Sequence, residues 1–229
     1  MLKIASPFFL AQRALSKAIR KHARCCPGRL LDVGCGTQPY REFFHSNEYW
    51  GIEVLAQGQH GSRKLADAYF DGSRIPFADQ SFDAVFCSQV LEHVFQPDDF
   101  LKELARVTKP DGRLLLTVPF VWDEHEQPYD YGRYSSFGLK ALLARHGFEV
   151  AEHVKTLSDA SIITQLSLTY LYKISSRLPR PLHRLCMAAM AIPLNILGLI
   201  LAASAPRNAD FYLDNVVLCN LVPTQVETQ

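Results

Sequence analysis

The chain has almost no excess of either charge: 24 Lys and Arg stand against 23 Asp and Glu in 229 residues, a net charge of +1 at neutral pH. Proteins that hold nucleic acid through its phosphates need a basic surplus, so no nucleic-acid partner is expected. Paired cysteine motifs are missing too, because the six cysteines at 25, 26, 35, 87, 186 and 219 include no C-x-x-C. That excludes a zinc ribbon and a dithiol redox motif, and it suits a reducing cytoplasm. Cys25-Cys26 has no His/Cys cluster beside it, and His22, His45, His60, His146, His153 and His183 are scattered without metal-ligand spacing. No metal is expected. Two further absences are local: no acidic residue precedes Asp32, and no charged residue occurs from Leu185 to Pro206.

What is present concentrates between residues 30 and 53. Leu30-Leu31-Asp32-Val33-Gly34-Cys35-Gly36-Thr37 is an apolar run ending in an acid and two glycines, and the next apolar run ends in Gly51-Ile52-Glu53. Gly34 and Gly36 let the backbone turn sharply and approach a ligand, while a carboxylate closing the second strand accepts both hydroxyls of a ribose. Cys35 lies inside this loop, where a disulfide would distort the turn. A dinucleotide fingerprint would place a third glycine at the position held by Pro39, which has no N–H to offer a pyrophosphate. Asp32 would repel a phosphate and attract the ammonium of an amino-acid tail. These residues point to S-adenosylmethionine as the cofactor.

The segments LLDVGCG (30–36), GIE (51–53), FDGSRIPFADQSFDAVFCSQVLEHV (70–94), FLKELARVTKPDGRLLLTVP (100–119) and HGFEV (146–150) together resemble the class I S-adenosylmethionine-dependent methyltransferases. The likeness is nearest to the type 11-like branch, whose motifs run D…LPF…SFD…LEHV…KPGG, and it covers roughly residues 29–154. It implies an α/β fold built on a doubly wound, Rossmann-like, seven-stranded and mostly parallel sheet with an antiparallel last strand. Hydrophobic patterning agrees. Strands are predicted near 29–34, 49–53, 65–70, 82–88, 113–119, 147–154 and 211–222, with helices over 97–107 and 135–146. Only about a dozen residues, Gly58 and Gly61 among them, follow Glu53 before the third strand, so the usual second helix is predicted to be short or lost and that side of the crevice open.

Roles follow from chemistry and from the resemblance. Asp32 is assigned to the amino end of the cofactor or to the loop, Gly34, Cys35 and Gly36 to backbone contact, and Glu53 to the ribose diol. Asp71 is placed to accept from the adenine amino group, with a capping role as its alternative, and the Gly72 N–H to reach a ring nitrogen. In the resembling family, residues at the positions of Ser88 and Gln89 lie beside the sulfonium. Because the sulfonium already carries an excellent leaving group, positioning supplies most of the acceleration, and a base matters only for an acidic acceptor. The acceptor-side segment is Trp122 to Tyr134, with Trp122, Tyr131, Arg133 and Tyr134 as substrate contacts. His125, flanked by Glu124 and Glu126, is the candidate base, and His93 is read as structural or as pocket wall.

The organisation is read as a basic amphipathic N-terminal helix (1–28), a cofactor-binding core (29–155), an apolar helical insertion (156–209), and the last core strand with a tail (210–229). The run from Leu185 is long enough to span a bilayer, yet a single crossing would separate the last strand from its sheet. Pro193, Asn195 and Gly198 are expected to break it in the middle, giving a hairpin or interfacial pair of helices. Lys173, Arg177, Arg180, Arg184 and Arg207 surround it, and Lys3, Arg13, Lys17, Arg20, Lys21, Arg24 and Arg29 stud the N-terminus, which suits an anionic membrane surface. A signal peptide is not expected, since the apolar stretch at 4–11 is short and Arg13 follows it. The reading is methyl transfer to a hydrophobic or lipid-linked small molecule by a protein peripheral to the inner, cytoplasmic face of a membrane. Two alternatives stay open: a soluble acceptor with the insertion as lid or dimer surface, and a non-catalytic cofactor-binding scaffold.

Overall fold

A computed structural model describes residues 3–54 and 65–222. The expectation built on Gly58 and Gly61 lies outside the described residues. The elements are α1 (Phe9–Ala23), β1 (Arg29–Val33), β2 (Glu48–Val54), β3 (Ala68–Phe70), β4 (Phe82–Ser88), α2 (Pro97–Val107), β5 (Thr108–Pro119), α3 (Ser136–Ala144), β6 (Phe148–Lys155), α4 (Ser161–Ser175), α5 (Arg180–Ser204) and β7 (Asp214–Leu221). The strands form one seven-stranded sheet in the order β3-β2-β1-β4-β5-β7-β6.

The pairs β1–β2, β1–β4, β2–β3 and β4–β5 are parallel, with Asp32 opposite Gly51 on one side and Phe86 on the other. Against β6, β7 runs antiparallel: Val222 donates to the Gly147 carbonyl at one end, and Thr156 donates to the Asp214 carbonyl at the other. Order reversal on either side of β1 opens a crevice beyond the carboxyl ends of β1 and β4, the place where doubly wound sheets bind ligands.

Helix α2 occupies the predicted span. Pro97 pre-sets its first turn, Asp98 and Asp99 complement the positive end of its dipole, and Phe100, Leu101, Leu104 and Val107 are buried. Burial of those four side chains contributes about 1.5–3 kcal/mol each. Ser135 caps α3 by accepting from the Gly138 N–H, and Gly147, at φ +78°, ends the turn beyond it. Three strands differ from the sequence reading, β7 by starting only at Asp214. β3 is shorter, because Asp67 instead pairs its backbone and its carboxylate with Gly51. β5 starts earlier, at Thr108, with a register shift opposite Phe82 and Ala84.

The chain divides into two compact units. The larger comprises Ile19–Pro119, His125–Val154 and the residues from Asn215 onward, and it holds the sheet and its core. The smaller comprises the residues up to Ala18, Phe120–Glu124 and Lys155–Asp214. Within it α5 runs unbroken for 25 residues with Pro193 inside, which corrects the expected break. The two other residues read as breakers make packing contacts. Asn195, fully buried, donates to the carbonyls of Ile4 and Ser6 at 2.7 and 2.9 Å. Gly198 sits against Leu10 and Thr164, where a side chain would collide. The return of the chain is made by α4 and α5 as a pair. Gln165 of α4, also fully buried, donates to the Pro7 carbonyl and accepts from the Ala11 N–H.

Candidate active site

The crevice is built from the ends of β1 and β4 and the loop after β1. Asp32, Gly34, Cys35, Gly36, Thr37, Pro39, Tyr40, Phe86 and Ser88 line it around a volume of about 230 Å³. The loop holds its shape through two bonds, since the N–H groups of Gly34 and Cys35 both donate to the Ile52 carbonyl. Gly34 is at φ +72°, and any Cβ there would run into Val90.

Two carboxyls frame this loop. Asp32 is almost completely buried and accepts a 2.5 Å hydrogen bond from the Tyr49 hydroxyl. Burial pushes the Asp32 carboxyl up to about 7; the Tyr49 bond opposes that shift and the Glu53 charge adds to it. The Cys35 thiol is pushed up to about 12, first by burial and then by the Asp32 and Glu53 charges, so it stays protonated and is no nucleophile. Glu53 accepts from the Gly36 N–H at 2.9 Å, which ties the end of β2 to the glycine loop.

At the end of β4, Ser88 lies 2.9 Å from the Thr117 hydroxyl, which also accepts from the Gln89 amide at 3.1 Å. Gln89 is held at φ +56°, a left-handed conformation that side chains rarely adopt, next to the crevice. Asp71 is exposed, and one of its carboxylate oxygens accepts from the Ser73 N–H, the Ser73 hydroxyl and the Arg74 N–H. Those bonds, the Ser73 hydroxyl first, hold its pKa below the usual range. In this structure it therefore caps a turn. Gly72 follows at φ +87°.

A second group of side chains gathers after β5. The N–H groups of Tyr131 and Gly132 donate to the Glu92 carbonyl, anchoring this loop to the Leu91–His93 turn. A carboxylate that the sequence reading did not name lies against the His125 ring: Asp130, at 3.2 Å from Nδ1. The four residues of intervening loop fold back and bring Asp130 inside, where its side chain is 4% exposed. Glu126 approaches His93, at 3.9 Å. Arg133 grips both Asp130 oxygens, at 2.5 and 2.7 Å, and is the first cause of an Asp130 carboxyl lowered to about 2. Tyr131 packs edge-on against Phe95. Tyr134 is half-buried, which raises its hydroxyl pKa. Trp122 belongs to the smaller unit, where its ring lies 6.2 Å from Phe8.

Sequence reasoning missed several crevice residues. Thr37, Tyr40 and Phe86 line it, with Tyr40 edge-on to Phe86 at 6.0 Å, and Pro39 was used only to exclude a dinucleotide. An aromatic residue directly after the glycine loop was the available signal. The rings of His93 and His125, 4.8 Å apart, carried none.

Comparison with known proteins fits this geometry. Residues 31–116 match the family model described as a methyltransferase domain. Demethylmenaquinone methyltransferase of Mycobacterium tuberculosis is 36% identical over 107 residues, covering 44% of this chain and 45% of the relative. Malonyl-[acyl-carrier protein] O-methyltransferase of Erwinia pyrifoliae is 34% identical over 116 residues, covering 47% and 44%. The chain thus spans less than half the length of these curated relatives. The crystal structure of an S-adenosylmethionine-dependent methyltransferase from Mesorhizobium loti superimposes with a TM-score of 0.56 over 94% of this chain and 98% of that one, at 12% identity. The sheet order agrees with the fold of that methyltransferase, and the matched residues 31–116 carry the likeness to the methyltransferase-domain model.

Proposed function

We propose that this protein transfers the methyl group of S-adenosylmethionine to a small, lipid-related acceptor at a membrane surface. The observation that carries the transfer reaction is the crevice itself: a buried Asp32 carboxyl and a glycine loop tied to Glu53 stand together at the carboxyl ends of β1 and β4. A zwitterionic tail fits the carboxyl, and a nucleoside fits the loop. In-line positioning of the acceptor then supplies most of the rate.

The lipid-related acceptor is supported by the names of the relatives, which act on demethylmenaquinone and on malonyl-acyl-carrier protein. The membrane surface is supported by α5, whose most apolar stretch has a mean hydropathy of 2.2 and is only 22% buried. Such a helix suits an interface with lipid.

The test is incubation of the protein with methyl-labelled S-adenosylmethionine and cell extract, followed by partition between organic solvent and water. Label in the lipid-soluble fraction is expected. Label only in water-soluble products would replace the acceptor with a soluble one and make the α5 face a lid or dimer surface. Cofactor binding without any labelled product would make the protein a scaffold.

A further inference from the structure

We propose that Glu92, His93 and His125 form a binding site for a divalent first-row transition-metal ion of the zinc class, next to the cofactor crevice. The ligand atoms these three residues offer all lie within 4.8 Å of one another. Two imidazoles and one carboxylate are the donor set that favours zinc-class ions over magnesium or calcium, which prefer oxygen alone.

The tautomers of both rings are set by their outer partners. His93 Nδ1 lies 2.6 Å from the Tyr129 carbonyl, which only accepts, so Nδ1 carries the hydrogen and Nε2 keeps its lone pair. His125 Nδ1 lies 3.2 Å from Asp130, a carboxylate itself gripped by Arg133, so the same assignment holds. Imidazoles that ligate metals are oriented in this way, each donating its other N–H to a carboxylate or a carbonyl. The third ligand is a carboxyl group whose side chain is fully enclosed and lies 3.9 Å from His93 Nε2. Metal–nitrogen bonds of about 2.0–2.1 Å require ligand atoms closer together than 4.8 Å, so an ion would draw the three side chains inward. The loop that carries His125 is anchored beside the other two ligands, since the N–H groups of Tyr131 and Gly132 donate to the Glu92 carbonyl.

Three protein ligands leave coordination positions open. An acceptor oxygen is the group they would take, a role that rests on the transfer reaction proposed above, whereas the ion site does not. In this arrangement His125 is a ligand and not a free base.

Titration of the full chain with Co²⁺ in the absence of cofactor, followed by visible absorption and by displacement with Zn²⁺, tests the site. A single ion is expected, with ligand-field bands and no thiolate charge-transfer band. His93→Ala and His125→Ala should each weaken binding at least about tenfold, and the double variant should abolish it. Asp130→Asn, which acts through His125, should weaken it by about 10–100-fold. His146→Ala, whose imidazole pairs with Asp98 at 2.7 Å, should leave it unchanged. Glu92→Gln alters a buried group and is informative only where the variant folds, so the histidine variants carry the decision. Absence of binding, a thiolate band, or unchanged binding in the double variant would overturn the site. S-adenosylmethionine affinity measured alongside reports separately on the crevice, so either reading can fail without the other.

Discussion

The Tyr49 hydroxyl donates a 2.5 Å hydrogen bond to the buried Asp32 carboxyl, whose pKa burial raises to about 7. The direction of that shift fixes two pH dependences. In the folded chain Asp32 keeps a proton that the unfolded chain releases near its ordinary value of 3.8, so apo-protein stability should fall as pH rises through the window from there to about 7. Cofactor binding should respond in the opposite way, because only the ionised carboxylate attracts an ammonium. Affinity measured by calorimetry should rise by up to about tenfold per pH unit towards pH 7 and then level off. Asp32→Asn should flatten both curves. A pH-independent affinity in the wild-type chain would remove Asp32 from the contact.

Glu53 spans the glycine loop and the proposed ribose position. Glu53→Ala removes the acceptor for the Gly36 N–H together with the charge-assisted bonds to two hydroxyls. Cofactor binding should weaken by about 2–4 kcal/mol. Glu53→Gln keeps an acceptor for Gly36 and should lose less. Equal affinity in wild type and a folded Glu53→Ala variant would place the ribose elsewhere.

The parts of the site that were legible in the sequence are those built from neighbouring residues. Gly34, Gly36 and Glu53 lie within one strand-loop-strand unit, so their spacing alone described the crevice. The His93–His125 pair lies 32 residues apart in the chain and meets only because the loop after β5 hydrogen-bonds to the Glu92 carbonyl. Asp130, five positions on, comes against the His125 ring for a similar reason: adjacency in sequence says little where a loop doubles back. In α5 the error ran the other way. Asn195 and Gly198 have the residue types of a break, and their real contacts are with residues near the N-terminus, far away in sequence.

Those contacts make a stability prediction. Asn195 is fully enclosed and its amide satisfies two backbone carbonyls, those of Ile4 and Ser6. Asn195→Leu keeps the volume and the helix propensity while leaving both carbonyls without that donor. Urea unfolding should show a loss of about 1–3 kcal/mol. A change under about 0.5 kcal/mol, the scale of an ordinary surface substitution, would show that water replaces the amide at no cost.

The exposed face of α5 makes the last prediction. Leu182, Leu185, Ile192, Ile196 and Ile200 recur at steps of three, seven, four and four, so they share one face of the helix, and each is more than 40% exposed. Burying half of them in a lipid interface contributes about 1.5–3 kcal/mol per side chain. Arg177, Arg180 and Arg184, at and just before the start of the helix, add about 1 kcal/mol each near anionic headgroups. Together these terms suffice for peripheral attachment without a crossing. Wild-type protein should therefore sediment with anionic phospholipid vesicles, and salt should weaken the attachment without abolishing it, because the apolar part is not screened. Replacing Leu185, Ile192, Ile196 and Ile200 by Gln should leave the protein in the supernatant while S-adenosylmethionine affinity is retained, since none of these residues lines the crevice. Wild-type protein that stays in the supernatant would mean that this face serves a soluble partner or a second copy of the chain. A Gln variant that unfolds would mean that the face is part of the packing of its own unit.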